Sequence, residues 1–326
     1  MSQHPQQPAG LKHAFLLSAT SQASLNWQQI EAATSTMPAW LHFDYTDPKS
    51  REWIIHQSGL DPLVADALLS EETRPRTTAI GDGVLLALRG VNLNPGSDPH
   101  DMVSIRLWAD QNRIISTGRR DLHSVKEIVK SFQQNQGPTS PSEFLVELCD
   151  RLVWRMSDTV DQLEDRVDEL EESVVDSHQA ELRYQLANLR RQTIALRRYL
   201  SPQREAMNRL ALEKLSWLND SQRIELREVS DRLIRHIEDI DAVRERANVT
   251  QEELISRMSE QLNERMYMLS IVAAIFLPLG FLTGLLGINV GGIPGADSPQ
   301  AFWVVSGSML IAVILQLLVF RWKRWL

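Results

Sequence analysis

The stretch Tyr267–Asn289, YMLSIVAAIFLPLGFLTGLLGIN, decides how the rest of the chain is read. No Asp, Glu, Lys or Arg falls between Arg265 and Asp297. A helix of about 20 apolar residues at about 1.5 Å rise spans a hydrocarbon core of about 30 Å, so this segment is expected to cross a membrane. A second apolar run, Phe302–Phe320, follows a loop of Gly, Pro and small residues at Gly287–Gln300. The chain is therefore expected to cross, turn and return. The tail Arg321-Trp322-Lys323-Arg324 is basic and the loop has no Lys or Arg, which by the positive-inside rule places both termini in the cytoplasm. Trp303, Trp322 and Trp325 sit where interfacial aromatics belong. The beginning, MSQHPQQPAGLKHAF, has no signal-peptide core. The large upstream part is expected to stay cytosolic and, in a bacterium, the hairpin to lie in the inner membrane.

The 326 residues carry a net charge of −8, enough chain for a sizeable cytosolic region besides the hairpin. An acidic balance argues against nucleic acid as a partner, because phosphate contacts need clustered Lys and Arg, and it suits the attraction of cations. The single cysteine, Cys149, excludes an intramolecular disulfide and a Cys-cluster zinc site. The eight histidines show no His-x-x-x-His or His-Glu-x-x-His spacing, so no preformed zinc cage is readable. No Gly-rich loop precedes a Lys-Ser/Thr pair, and no nucleophile stands beside a base. The chain reads as a non-enzyme without a cofactor.

Taken in order, residues 1–10 read as a disordered lead within a cytosolic α/β domain that extends to about residue 140. Strands are expected at Ala79-Ile80, Val84–Val91, Met102–Ala109 and Arg113–Thr117, with turns at Gly81-Asp82-Gly83 and Asp110-Gln111-Asn112. Pro62–Ser70 and Asp121–Gln134 have helical spacing, and the sheet should be largely antiparallel. After the linker Gly137–Ser142, leucines at steps of three and four predict a long antiparallel helical pair over 141–219, with a kink or restart at Ser201-Pro202. From Asp220 the series Leu226, Val229, Leu233, Ile237, Ile240, Val243 and Ala247 predicts a stalk helix that runs into the first span, over 220–286. Residues 287–300 form the external loop, and 301–326 the second span and basic cytosolic tail.

Several motifs in this frame resemble the CorA-type divalent-cation transporters, and among them the zinc-transporter branch. They are Glu72-Thr-Arg-Pro-Arg76 with Gly81-Asp82, Ser201-Pro-Gln-Arg-Glu205, Asn263-Glu264-Arg265-Met266 and Ile275-Phe276-Leu277-Pro278-Leu279. Most telling are Gly287-Ile288-Asn289, directly after the first of two terminal spans, and the Arg321–Leu326 ending. The resemblance covers the chain from roughly Trp40 onward. Family members carry Gly-Met-Asn at the tripeptide, whereas the zinc branch, like this chain, has another apolar residue there and continues Gly-Gly-Ile-Pro-Gly, here Gly291–Gly295. The resemblance implies a funnel-shaped homopentamer with one central pore and the second spans forming an outer ring. It further implies passage of Zn2+, with a magnesium or cobalt channel of the same build as the alternative and the direction, uptake or efflux, left open. A helical, membrane-anchored sensor that conducts nothing is the reading from a different class.

On the first span Asn263, Met266, Ser270, Ala273, Leu277, Gly280 and Gly284 share one face, which suits a narrow conduit; the same small residues also let helices pack closely in lipid. Gly287, Ile288 and Asn289 read locally as a helix stop. Under the resemblance they form the outer mouth, with an Asn289 amide ring holding a partly hydrated ion. Carbonyl oxygens are hard ligands and zinc prefers imidazole and thiolate, so zinc is expected to pass largely hydrated. Neither span holds Asp, Glu, His or Lys, so any coupling to protons falls to Glu252, Glu253, Glu260 and Glu264 or to a water path. Glu252, His236 and His178 are candidate metal contacts, set against ordinary solvated or packing roles. The acidic run Glu164, Asp165, Asp168, Glu169, Glu171 and Glu172 reads as a solvated face that raises the local cation concentration.

Overall fold

The computed structural model describes residues 10–19, 22–27, 29–30, 37–71, 73–174, 179–287, 295 and 298–323. Six strands form one sheet: β1 (Leu11–Leu16), β2 (Ala39–Phe43), β3 (Arg76–Ile80), β4 (Gly83–Gly90), β5 (Val103–Asp110) and β6 (Arg113–Thr117). Their order is β1-β2-β6-β5-β4-β3. Only β2 and β6 run parallel; the other neighbours are antiparallel. The β3–β4 turn is the pair Gly81-Asp82, with Ile80 paired to Gly83, and Gly81 takes φ 60°, a left-handed conformation that glycine adopts without a Cβ penalty. At the β5–β6 turn the Asp110 carboxylate accepts the Asn112 and Arg113 amides at 2.9 and 3.1 Å.

Two strands and a helix are additions to the sequence reading. Every residue of β2 is buried, because it lies between β1 and β6 with both faces covered, so it shows no apolar–polar alternation. On one face Leu41 and Phe43 join Trp53, Ile54, Val64 and Leu68 of helices α1 (Pro48–His56) and α2 (Pro62–Leu69). Asp47 and Asp61 cap those helices, and each is followed by a proline at the first helical position. On the other face Trp40 stacks 5.8 Å from Phe132 of α3 (His123–Gln133) and lies tilted, 4.7 Å from Phe144 of α4 (Pro141–Ser173).

Helices α4, α5 (Gln179–Leu212) and α6 (Asp220–Gly287) continue the architecture. The buried leucine series falls where its spacing indicates, from Leu145 to Leu170 on α4, Leu182 to Leu200 on α5 and Leu226 to Ala247 on α6. Ion pairs Arg232–Asp150 at 2.9 Å and Arg197–Asp241 at 2.8 Å, with Ser230 bonded to Asn208 at 2.8 Å, set α6 parallel to α4 and antiparallel to α5. Helix α5 continues through Pro202 instead of restarting there. The next break comes at residues 213–219. The sequence-derived α/β region, long helices and two apolar C-terminal helices are all present, the last being α7 (Ala301–Trp322). The chain divides into two compact units, Met1–Gln251 and Glu252–Leu326.

Two of the motifs that carried the family resemblance, those around Asp82 and Gln203, turn out to be joints. Gln203 of α5 acts as a substitute strand: its Oε1 accepts the Arg89 amide at 2.7 Å and its Nε2 donates to the Arg89 carbonyl at 2.9 Å. Those two β4 groups lie past the last β3 pairing at Arg76, and a buried backbone pair without partners is costly. Thr77 donates to the Ala206 carbonyl at 2.6 Å, and Arg89 reaches the Thr73 carbonyl at 3.1 Å while its guanidinium sits 4.0 Å over the Tyr199 ring. Glu72 lies outside the described residues. At the hairpin tip Asp82 accepts the Ser216 amide at 2.8 Å and its hydroxyl, and the Asp82 carbonyl accepts Trp217 Nε1 at 2.6 Å. The Ser216 hydroxyl and amide hold the Asp82 carboxyl below its ordinary range. Replacing Asp82 by Ala should therefore make the amides of Ser216–Leu218 exchange hydrogen severalfold faster with little change in the sheet; equal exchange in both proteins would remove Asp82 as the tie.

A second consequence concerns acid. His42 is buried beside Ser116, with Nδ1 2.9 Å from Oγ, and stacks on His13 at 5.9 Å. Burial pushes its pKa down to about 3, helped by His13 and Lys12 and opposed by Asp121. The unfolded chain protonates this ring near 6.5, so as pH falls the unfolded state takes up the proton first. Stability contributed by the neutral ring is complete above about pH 6.5 and is lost progressively toward about pH 3. Thermal melts of the whole protein in detergent should fall more steeply with acidification for the native chain than for His42→Gln, and parallel slopes would dismiss His42 as the acid-sensitive group.

Candidate functional site

The apolar part of α6 belongs to the second unit, together with α7. Both helices are long and apolar enough to cross a membrane, and none of their apolar windows is buried within the chain. At about 100° per residue, Asn263, Met266, Ser270, Ala273, Leu277, Gly280 and Gly284 fall within an arc of about 100°. All seven are exposed, Met266 at 68% and Leu277 at 72%. The partly covered residues of the same stretch, Ile271, Ile275 and Leu279, lie on the opposite side. The face read from the sequence is thus the one that the chain itself leaves bare.

Its chemistry is sparse. The Ser270 hydroxyl donates to the Met266 carbonyl at 2.8 Å, and Thr283 to the Leu279 and Gly280 carbonyls at 3.0 Å, so both are spent on their own helix. Asn263 is the remaining polar side chain of the stripe. Pro278 lies inside the helix and has no N–H, so the Ala274 carbonyl loses its usual donor four residues on. A Cβ added at Gly280, Gly284 or Gly287 would meet nothing within 4 Å. Close packing within one chain therefore does not account for these glycines. Gly287 is the last residue of α6, while Ile288 and Asn289 lie outside the described residues.

Sequence reasoning passed over Gln316 of α7. It sits on the partly covered stripe Val305, Met309, Ala312, Gln316 and Phe320, and its Oε1 is buried with no hydrogen-bond partner among the described residues. The signal was available as the one amide in a run whose other polar side chains are the small serines Ser306 and Ser308.

The candidates outside the apolar stretches separate. Glu252, Glu253, Glu260 and Glu264 are exposed, and Glu253 pairs with Arg257 at 2.7 Å. His236 is buried between α4 and α6, Nε2 3.3 Å from Ser157 Oγ; burial lowers its pKa, with Asp239 and Asp161 opposing and Arg232 and Arg235 reinforcing. His178 lies outside the described residues. Within the acidic run, Asp168 and Glu171 hold Arg246 of α6, the Arg246 Nε–Glu171 bond being 2.9 Å. Burial and the nearby Asp239, Asp161 and Asp168 carboxylates push the Glu164 pKa up against Arg246. No group of three or more His, Cys, Asp or Glu side chains that could hold a metal ion occurs among the described residues. Burial pushes the Cys149 thiol up to about 12, which leaves it an inert core residue.

Comparison with known proteins gives the family. The chain is 42% identical over 292 residues to the divalent cation transporter CmaX of Pseudomonas aeruginosa, covering 88% of this chain and 87% of that protein. It is 38% identical over 294 residues to the zinc transport protein ZntB of Yersinia pseudotuberculosis, covering 90% of each. The solved structure of full-length CmaX superposes with a TM-score of 0.86 at 38% identity, over 99% of this chain and 100% of that one. Residues 36–324 match the family described as CorA-like Mg2+ transporter protein, and the chain belongs to that family of transporters, which are not enzymes.

Proposed function

We propose that this chain conducts divalent cations, Zn2+ foremost, across a bacterial inner membrane, through a path lined by the bare α6 stripe of a homopentamer. What supports the reading is that stripe: small residues and glycines that nothing in one chain requires, in a chain with a named zinc transport protein among its relatives. Both termini face the cytoplasm, Arg321 and Lys323 lie at the lipid headgroups, and Asn289 with Gly287 and Ile288 rims the outer mouth. An amide ring exchanges only part of an ion's water, so Zn2+ crosses mostly hydrated. Magnesium or cobalt is the second reading, favoured by the family description and by the broader name of the Pseudomonas relative.

Flux of zinc and magnesium into proteoliposomes separates the two. Asn289→Ala should lower zinc flux by about tenfold or more while the protein still inserts and assembles, as loss of one ring of charge-ordering dipoles predicts. Unchanged flux would remove Asn289 from the mouth, and absence of any metal flux would leave a non-conducting sensor. Proton coupling is assigned to the exposed carboxylates Glu252, Glu253, Glu260 and Glu264, since the spans hold no proton-relaying side chain. Their joint replacement by Gln should flatten the pH dependence of zinc flux under an imposed gradient. A retained dependence would shift coupling to water in the path.

A further inference from the structure

We infer that Arg235 sets the electrostatic barrier on the cytosolic approach to this path, an inference that rests on the reading of α6 given above. In the first unit the outward face of α6 carries Glu228, Asp231, Arg235, Glu238, Ala242, Glu245 and Val249 at alternating steps of three and four, every one exposed. The opposite face, Leu226, Val229, Leu233, Ile237, Ile240, Val243 and Ala247, is buried in the three-helix packing with α4 and α5. Counted along the sequence, the outward register continues without slip through Glu252, Ser256, Ser259 and Asn263 to the membrane stripe. A strict seven-residue period keeps one face of several supercoiled helices toward a common axis.

In a dry coiled coil the positions of such a seam are apolar. Here four of the seven outward positions are carboxylates, so the axis they face has to hold water and cations. Arg235 is the one cation among them. Arg232, three residues earlier, is tied to Asp150 at 2.9 Å, but Arg235 has no ion-pair partner among the described residues. Along the helix Asp231 lies about 6 Å to one side and Glu238 about 4.5 Å to the other. With a Debye length of about 8 Å at physiological salt these neighbouring levels overlap, so the Arg235 charge subtracts from the attraction of the carboxylates on either side. Repeated around an axis, the Arg235 guanidiniums offset the pull of the acidic rings on either side and so raise the barrier at their own level. A doubly charged ion feels twice the barrier that a singly charged one does. Arg235 therefore throttles divalent flux in a vestibule that otherwise concentrates it.

The test uses the full-length protein in phosphatidylethanolamine–phosphatidylglycerol vesicles, with zinc flux as the readout. Arg235→Gln should raise the initial rate about three- to tenfold at low ionic strength, and the gain should shrink toward parity near 1 M salt, where the Debye length is about 3 Å. Arg235→Lys should keep the native rate. An unchanged rate for Arg235→Gln, or a change that ignores salt, overturns the inference. A cysteine at Val249, on the same stripe, separates this outcome from failure of the pathway itself, because native Cys149 is fully buried and gives no background. Block of flux by a cationic thiol reagent at Val249→Cys, with no effect of Arg235→Gln, rejects the barrier alone. Full flux after complete modification of that cysteine rejects the α6 path and the barrier together.

Discussion

A backbone that crosses hydrocarbon has to satisfy its own hydrogen bonds, and in this chain that demand falls on α6 and α7. Even the hydroxyls comply: Ser270 and Thr283 turn back onto carbonyls of their own helix. What remains at the surface of the first span is nearly free of side-chain dipoles. In the path proposed above, an ion would find backbone carbonyls, where glycine leaves them open and where Pro278 removes a donor, rather than a cage of charged ligands. The same economy explains why no metal-holding cluster occurs among the described residues. For a transporter this is physically sensible, since a tight site would retain its ion.

The first unit solves a different problem, that of fixing a long helix relative to a sheet. Gln203 extends β4 with a side-chain amide, Thr77 fastens the next turn of α5, and Asp82 grips the turn that precedes α6. Each contact joins segments more than a hundred residues apart in sequence. Together they locate the start of α6 from the edge of the sheet. The motifs around Asp82 and Gln203 that helped suggest a family thus owe their residue types to joinery.

How much of this was legible in the sequence follows from where signals are local. Strands β3 to β6 announce themselves because Gly81-Asp82 and Asp110–Asn112 punctuate them, and the helices because Leu, Val and Ile recur at the helical period. Strand β2 hides, since AWLHF is buried on both faces and presents no alternation. Pro202 looks like a break, yet the ties on either side of it, at Tyr199 and Gln203, hold α5 continuous. The stripe from Asn263 to Gly284 was readable as a face, but that the chain leaves it bare emerges only from the fold. Gln316 was a single polar letter whose buried, partnerless oxygen no periodicity reveals.

The open space around Gly280, Gly284 and Gly287 has a genetic corollary. A lone chain loses nothing when a methyl group is placed there, so such alleles yield protein that inserts and survives quality control. In the assembly proposed above, the defect arises only when chains meet around a shared axis, where one bulky copy obstructs the space belonging to all. Substitutions at these glycines are accordingly expected to behave as dominant in mixed expression, while lesions at the joints of the first unit are recessive.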